Sequence, residues 1–118
     1  MHSAMESMDG VGWMILDRSK YIIKRNALYQ QMFNIPEEIL LNDMFSINNN
    51  WVKNLMSEPE KFMQSSLDLP LQEKKAVHEF QLIDGRRIRR VSSPFFDENE
   101  ELMGWNIIIF DITNQKTV

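Results

Sequence analysis

The order in which strand-like and helix-like segments follow one another constrains this chain more than any single motif does. Residues 11–16 (Val-Gly-Trp-Met-Ile-Leu) form an apolar run, closed by Asp17-Arg18-Ser19-Lys20 and resumed at Tyr21-Ile22-Ile23. That pattern predicts a hairpin of two short strands around a polar turn. Residues 26–70 change to helical spacing, and residues 76–113 return to strand-like runs. The first of these runs, residues 77–82, turns at Asp84-Gly85, a strong hairpin signal. Residues 86–96 follow, stopped by Asp97-Glu98-Asn99-Glu100, and residues 104–110 close the set. Two strand groups separated by helices imply an α+β domain with one antiparallel sheet and short helices packed on one face.

Several local signals mark out the helical block. Leu28/Tyr29 and Met32/Phe33 repeat at i, i+4 behind Asn26, a natural N-cap. Pro36 followed by Glu37-Glu38 suits a first helical turn. Asn48-Asn49-Asn50 reads as a loop or the start of a helix, and Trp51/Val52 with Leu55/Met56 give another apolar stripe. Ser57-Glu58-Pro59-Glu60 resembles a capping box opening a helix over about residues 59–68, with Phe62, Met63 and Leu67 on it and Pro70 ending it.

Composition removes several kinds of chemistry. A chain of 118 residues has room for one hydrophobic core. The absence of cysteine excludes disulfides, thiolate metal sites and any cysteinyl adduct. A net charge of −4 predicts repulsion from nucleic acid and from anionic membrane. The cluster Arg86-Arg87-Arg89-Arg90 is too small a phosphate footprint on such a chain. No window has the ~18 apolar residues of a membrane span. The start, Met1-His2-Ser3-Ala4-Met5-Glu6, lacks the features of a signal peptide, so a cytoplasmic location without direct membrane contact is expected. There is no glycine loop for phosphate, no nucleophile elbow and no zinc-protease motif, so the chain is not expected to be an enzyme. Glu98, Glu100 and Glu101 lie in a turn and read as a solvated face, so no metal site is expected.

The run Asp84-Gly85, Val91-Ser92-Ser93-Pro94, Asp97-Glu98, Gly104-Trp105 and Asp111-Ile112-Thr113 resembles the C-terminal half of a PAS domain. Gly10-Val11-Gly12 entering a strand and Asn26-Ala27 opening a helix that ends at Phe33 fit its first half. Glu100 departs from the pattern, since many relatives have glycine in that hairpin turn; Asn99 is expected to take the left-handed position instead. The resemblance implies a PAS fold over residues 10–113, with a five-stranded antiparallel sheet of order 2-1-5-4-3 around a small pocket. Residues 1–9 become an N-terminal cap segment and 114–118 the start of a linker. It further implies a sensory domain of a larger signalling protein, such as a sensor histidine kinase in a two-component system, a diguanylate cyclase or a regulator. Such a domain works by conformational change and dimerisation, with its output domain outside this chain. The alternative is a pure dimerisation module whose pocket is filled by its own side chains.

Within that frame, strand alternation counted back from Pro94 points Ser92, Arg90 and Ile88 into the pocket, with His78, Phe80 and Leu82 beside them and Trp105, Ile107 and Ile109 on the last strand. An inward arginine needs a partner. An internal acid, backbone carbonyls or a small anionic ligand would each serve; a slip of one residue would instead turn Arg90 outward and Arg89 inward. Flavin photochemistry through a covalent adduct is excluded for want of cysteine, although non-covalent flavin against Trp13 or Trp105 is left open. Haem is disfavoured, because the helix over about residues 59–68 has no histidine and His78 lies on a strand. Asp111 and Thr113 are expected to fasten the last strand to the start of the first and to carry the signal out. Val91, Ile108 and Phe110 point away from the pocket and predict a homodimer face, covered in part by a short helix over residues 4–8.

Overall fold

Hairpin turns with the same chemistry open and close the sheet. In the first, Asp17 Oδ1 accepts from the backbone of Ser19 (2.9 Å) and Tyr21 (3.0 Å), and Lys20 takes a left-handed φ of 65°. In the last, Asp97 Oδ1 accepts from Asn99 (2.8 Å) and Glu101 (3.0 Å), and Glu100 has φ 63°. Both aspartates bind the amides two and four residues on, and both turns place the third residue in the left-handed region. The left-handed position is therefore Glu100 rather than the expected Asn99, because the turn closed by Asp97 puts that conformation three residues on, as at Lys20.

The computed structural model describes residues 10–115. The elements run β1 (Val11–Asp17), β2 (Ile22–Arg25), α1 (Ala27–Phe33), α2 (Glu37–Leu40), α3 (Phe45–Val52), a 3₁₀ turn (Lys53–Leu55), α4 (Pro59–Leu67), β3 (Ala76–Gln81), β4 (Arg87–Phe96) and β5 (Leu102–Asp111). The five strands form one antiparallel sheet in the order β2-β1-β5-β4-β3. The expected helix over residues 4–8 lies outside the described residues. Among those described, no helix is long and apolar enough to cross a membrane.

Asn26 joins the sheet to the helical layer. Its Oδ1 accepts from Tyr29 N (3.0 Å), capping α1, and from Trp13 N (2.9 Å), while its Nδ2 donates to Val11 O (2.9 Å). One side chain thus caps a helix and pairs with a strand. Two glycines permit close approaches nearby. A Cβ on Gly12 would lie 3.0 Å from Tyr29 Cα, and one on Gly104 only 1.9 Å from the Leu16 carbonyl oxygen. The expected capping box at Ser57 does not form: Glu58 is the N-cap of α4 without a side-chain bond, and Ser57 Oγ donates to Gln81 O instead (2.9 Å).

Cross-strand pairing fixes which residues share a face. One face carries Gly12, Ile109, Arg90 and His78 in one row, with Met14, Ile107, Ser92 and Ala76 in the next. The helices pack on this face, where Met14, Ile107 and Ile109 join Tyr29, Phe45 and Phe62 in the core. Each such burial contributes about 1.5–3 kcal/mol. The opposite face carries the row Trp13, Ile108, Val91 and Val77, and beside it Val11, Phe110, Arg89 and Glu79. Its cover is uneven: Val11 and Trp13 are buried, Val91, Ile108 and Phe110 are half-buried, and Val77 is exposed.

Candidate functional site

Two helices present the same pattern to the interior. In α4, Phe62 is followed at i+3 and i+4 by Ser65 and Ser66; in α3, Phe45 is followed at i+3 and i+4 by Asn48 and Asn49. Helical geometry puts each trio on one face. All six residues are buried, so four polar side chains sit where an apolar stripe is the usual filling. Asn48-Asn49-Asn50 is accordingly neither a loop nor a helix start. It lies inside α3, and its first two members belong to the core.

Opposite them, β4 contributes Arg90, which is 2% exposed. Its Nη1 donates to Ser66 Oγ (2.9 Å) and its Nη2 to Ser65 Oγ (2.8 Å). Both serine hydroxyls donate their own protons to the Phe62 carbonyl, at 2.7 Å from Ser65 and 3.0 Å from Ser66. Their lone pairs are thereby turned to the guanidinium. The cation also lies against two rings, 5.5 Å from the centre of Phe62 and 5.2 Å from that of Phe80. Among the described residues no carboxylate pairs with it, and its Nε–H has no partner. The partners foreseen from sequence were an internal acid, backbone carbonyls or a small anionic ligand; among the described residues the structure supplies two hydroxyls. Burial pulls the guanidinium down to about 10, which still leaves it charged at neutral pH.

The surroundings hold further unmatched polar atoms. Asn48 Nδ2 donates to Tyr29 Oη (2.9 Å) and to Asn49 Oδ1 (3.4 Å), leaving Asn48 Oδ1 and Asn49 Nδ2 buried without partners. Burial pushes the Tyr29 hydroxyl up to about 12 despite the bond from Asn48. Ser92 Oγ, one row from Arg90, is also unpartnered. His78 stacks on Phe80 at 6.1 Å, and its Nδ1 has no partner. Burial, followed by the charges of Arg90 and Lys61, holds its pKa below the usual value, with Asp68 opposing. A cavity of about 230 Å³ opens between α3, α4 and the β1–β2 turn. Asn49 and Ser66 are among its polar lining, and Lys20, Tyr21, Met44, Phe45, Met63 and Leu67 complete most of the wall. Arg90 stands one hydrogen bond behind that wall, through Ser66.

The residues picked out from sequence fall as follows. Phe80, Ile88, Arg90, Ser92, Trp105 and Ile107 are buried on the helix-covered face, and His78 is half-buried there. His78 and Phe80 meet Arg90; Trp105 lies at the far end of the sheet, its Nε1 donating to Pro70 O (2.6 Å) and its ring beneath the Lys20 ammonium (6.0 Å). Trp13 is on the opposite face, pairing with Ile108, and so cannot stack on anything held beside Arg90. Asp111 Oδ1 accepts from Thr113 N (2.9 Å) and Thr113 Oγ1 (2.5 Å), and Thr113 Oγ1 accepts from Arg87 N (3.0 Å). This fastens the end of β5 to the start of β4 rather than to β1, because β4 is where Ile112 finds its backbone partner, the Arg87 carbonyl (2.9 Å). Sequence reasoning missed Tyr29, Asn48, Asn49, Phe62, Ser65 and Ser66. For all of these but Tyr29, the signal that could have found them is two polar residues at i+3 and i+4 from a phenylalanine.

Comparison with known proteins bears on the fold. No family model matches the sequence, and no curated protein matches it. Among solved structures, the PAS domain of BvgS from Bordetella pertussis superposes with a TM-score of 0.68 at 15% identity, covering 91% of this chain and 80% of that one. The PAS domain of a protein from Colwellia psychrerythraea gives a TM-score of 0.60 at 17% identity, covering 89% and 88%. VqmA of Vibrio cholerae, solved with a ligand and DNA, gives 0.61 at 13% identity; 98% of this chain is matched but only 54% of that one. Sheet order, the run of short helices between β2 and β3, and these superpositions agree: the chain has the PAS fold.

Proposed function

We propose that this domain is the sensory part of a larger signalling protein and that it reads a small anionic ligand through Arg90. The observation that carries the reading is a buried guanidinium with no counter-charge among the described residues. An unpaired buried charge costs several kcal/mol, even after hydrogen bonds offset part of it. A fold with no use for the charge would be served as well by an apolar side chain. An anion that enters beside it gains a charge-assisted contact in low dielectric. The chemistry of the chain favours a colourless ligand, since it offers neither a cysteine for a flavin adduct nor a histidine on α4 for haem.

The change is passed on through β4. Arg90 and Arg87 share that strand, and Arg87 meets Ile112 O (3.3 Å) and Gln115 O (3.2 Å) where the chain leaves the sheet. Dimerisation through Val91, Ile108 and Phe110 is part of the same proposal. The row Trp13, Ile108, Val91 and Val77 supports it, although only Val77 in that row is open. Nucleic acid is not expected as a partner, because the other arginines of the 86–90 cluster are engaged: Arg86 with Asp84 (2.9 Å), Arg89 with Glu79 (3.3 Å), and Arg87 with carbonyls. A second reading has its own support: Ser65 and Ser66 already ligate Arg90, as in a pocket filled by its own side chains. Native mass spectrometry of the purified chain separates the two. Extra small-molecule mass that Arg90→Met abolishes supports the sensor. A dimer with no added mass, and no thermal response to acetate or benzoate, supports the interaction module.

A further inference from the structure

The polar floor and apolar rim of the cavity between α3 and α4 point to a narrower ligand class than "anion". The inference rests on the anion-sensing reading above and deepens it. We infer that the ligand is a compact monocarboxylic acid with an apolar body, held by Asn49 and Ser66 and sensed by Arg90 through the Ser66 hydroxyl.

Asn49 is 3% exposed, lines the cavity, and has an Nδ2 with no acceptor. It is a donor held ready without a partner, which native interiors rarely tolerate. Ser66 is the other buried polar group in that wall, and its proton sits on the Phe62 carbonyl at 3.0 Å. That carbonyl already accepts from Ser65 at 2.7 Å. The Ser66 proton can therefore rotate to an incoming carboxylate while Phe62 O keeps a donor. Throughout that rotation Ser66 Oγ still accepts from Arg90 Nη1, so the cation polarises the hydroxyl toward the anion. No proton is transferred and no bond other than hydrogen bonds changes. The anion thus meets two buried polar residues of the wall, Asn49 and Ser66, with the Lys20 ammonium lining the same cavity and the Arg90 charge one hydrogen bond behind Ser66.

The remainder of the wall fixes the other end of the ligand. Phe45 and Met63 flank the interior, while Met44, Tyr21 and Leu67 are respectively 42%, 48% and 66% exposed at the rim. These side chains favour an apolar body, while Ser19, Lys20 and Ser46 complete the wall. Methionines there can repack around different shapes. The 230 Å³ of space holds about eight water-sized volumes, at ~30 Å³ each. That admits an aromatic or branched short-chain acid, whereas a nucleotide would have to extend past the rim. Inorganic phosphate has the charge and lacks the body.

Binding is measured by calorimetry and thermal unfolding of the whole chain, with benzoate, benzamide and inorganic phosphate as probes. Benzoate should bind saturably and raise the unfolding temperature, while benzamide and phosphate do neither. Asn49→Ala and Ser66→Ala should each weaken benzoate by about tenfold or more, the effect of losing one hydrogen bond to a charged group. Because both residues are buried, Leu67→Glu supplies a variant that leaves the core intact: a carboxylate at the exposed rim should repel benzoate, and Leu67→Gln should not. Equal binding of benzoate and benzamide would overturn the inference. Phosphate bound in an Arg90-dependent manner, with benzoate no tighter, would also overturn it while leaving the anion reading intact. Benzoate bound equally well by Arg90→Met would overturn both.

Discussion

Removing the serine partners of Arg90 should harm the fold more than removing Arg90 itself. In Ser65→Ala/Ser66→Ala the guanidinium stays buried and loses both of its hydrogen-bond acceptors. Stranding a buried charge in this way costs about 3–5 kcal/mol. At about 4 °C per kcal/mol for a domain between the small and medium size classes, the midpoint should fall by roughly 12–20 °C. Arg90→Met gives up two charge-assisted hydrogen bonds, each worth about 1.5–3 kcal/mol, and the contacts with Phe62 and Phe80, worth about 0.5–2 kcal/mol each. It also removes a desolvation cost of several kcal/mol and leaves a flexible apolar chain of similar length. The two sides nearly cancel, so Arg90→Met should lie within about 1.5 kcal/mol of the parent. In the Arg90→Met background the serine substitutions should cost only about 1 kcal/mol, for their bonds to the Phe62 carbonyl. Thermal and urea unfolding of the four proteins complete the cycle. An Arg90→Met loss as large as that of the serine pair would refute the reasoning, because the charge would then be a net stabiliser with no ligand needed to explain it.

Glu100→Gly should stabilise the domain by about 0.5–1 kcal/mol, since Glu100 holds φ 63° and glycine takes that region freely; an unchanged urea midpoint would count against strain there. His78 should make the domain less stable in acid. Its folded pKa is lowered, so it is neutral in both states above its ordinary value of 6.5 and contributes nothing there. As pH falls through 6.5 the unfolded chain takes up the proton first and stability drops, a slope that His78→Gln should flatten in pH-dependent unfolding. Phe110→Glu should turn a dimer into a folded monomer by light scattering, whereas a parent that is monomeric at high micromolar concentration removes the dimer from the account.

Much of the fold was legible because it rests on signals that are local in sequence. The Asp17 and Asp97 turns, the Asp84-Gly85 hairpin and the Asn26 cap are each written within five residues, and strand alternation from Pro94 put Arg90 inside. What stayed hidden depended on partners far along the chain. Asn48 and Asn49 look like loop residues until α1 and α4 are packed against them. Ser65 and Ser66 look like a solvated helix face until a guanidinium arrives from 24 and 25 residues away. Thr113 reads as a strand-end hydroxyl, and only the antiparallel pairing of β4 with β5 shows that its partner is Arg87 N. Ser57 failed the opposite way: its capping-box spacing put the N-cap one residue too early, since Glu58 holds that position and Ser57 Oγ donates to the Gln81 carbonyl.

The central claim is that the charge of Arg90 serves a ligand, and side-chain NMR tests it most directly. With nitrogen-15 labelling, the Arg90 Nε–H and the Asn49 amide group give their own resonances, assigned by their loss in Arg90→Met and Asn49→Ala. On titration with benzoate, both should shift saturably with one shared dissociation constant, while Arg86 and Arg89 stay in place. Shifts confined to those surface arginines, or an Arg90 signal unmoved at saturating benzoate and at saturating phosphate, would contradict it.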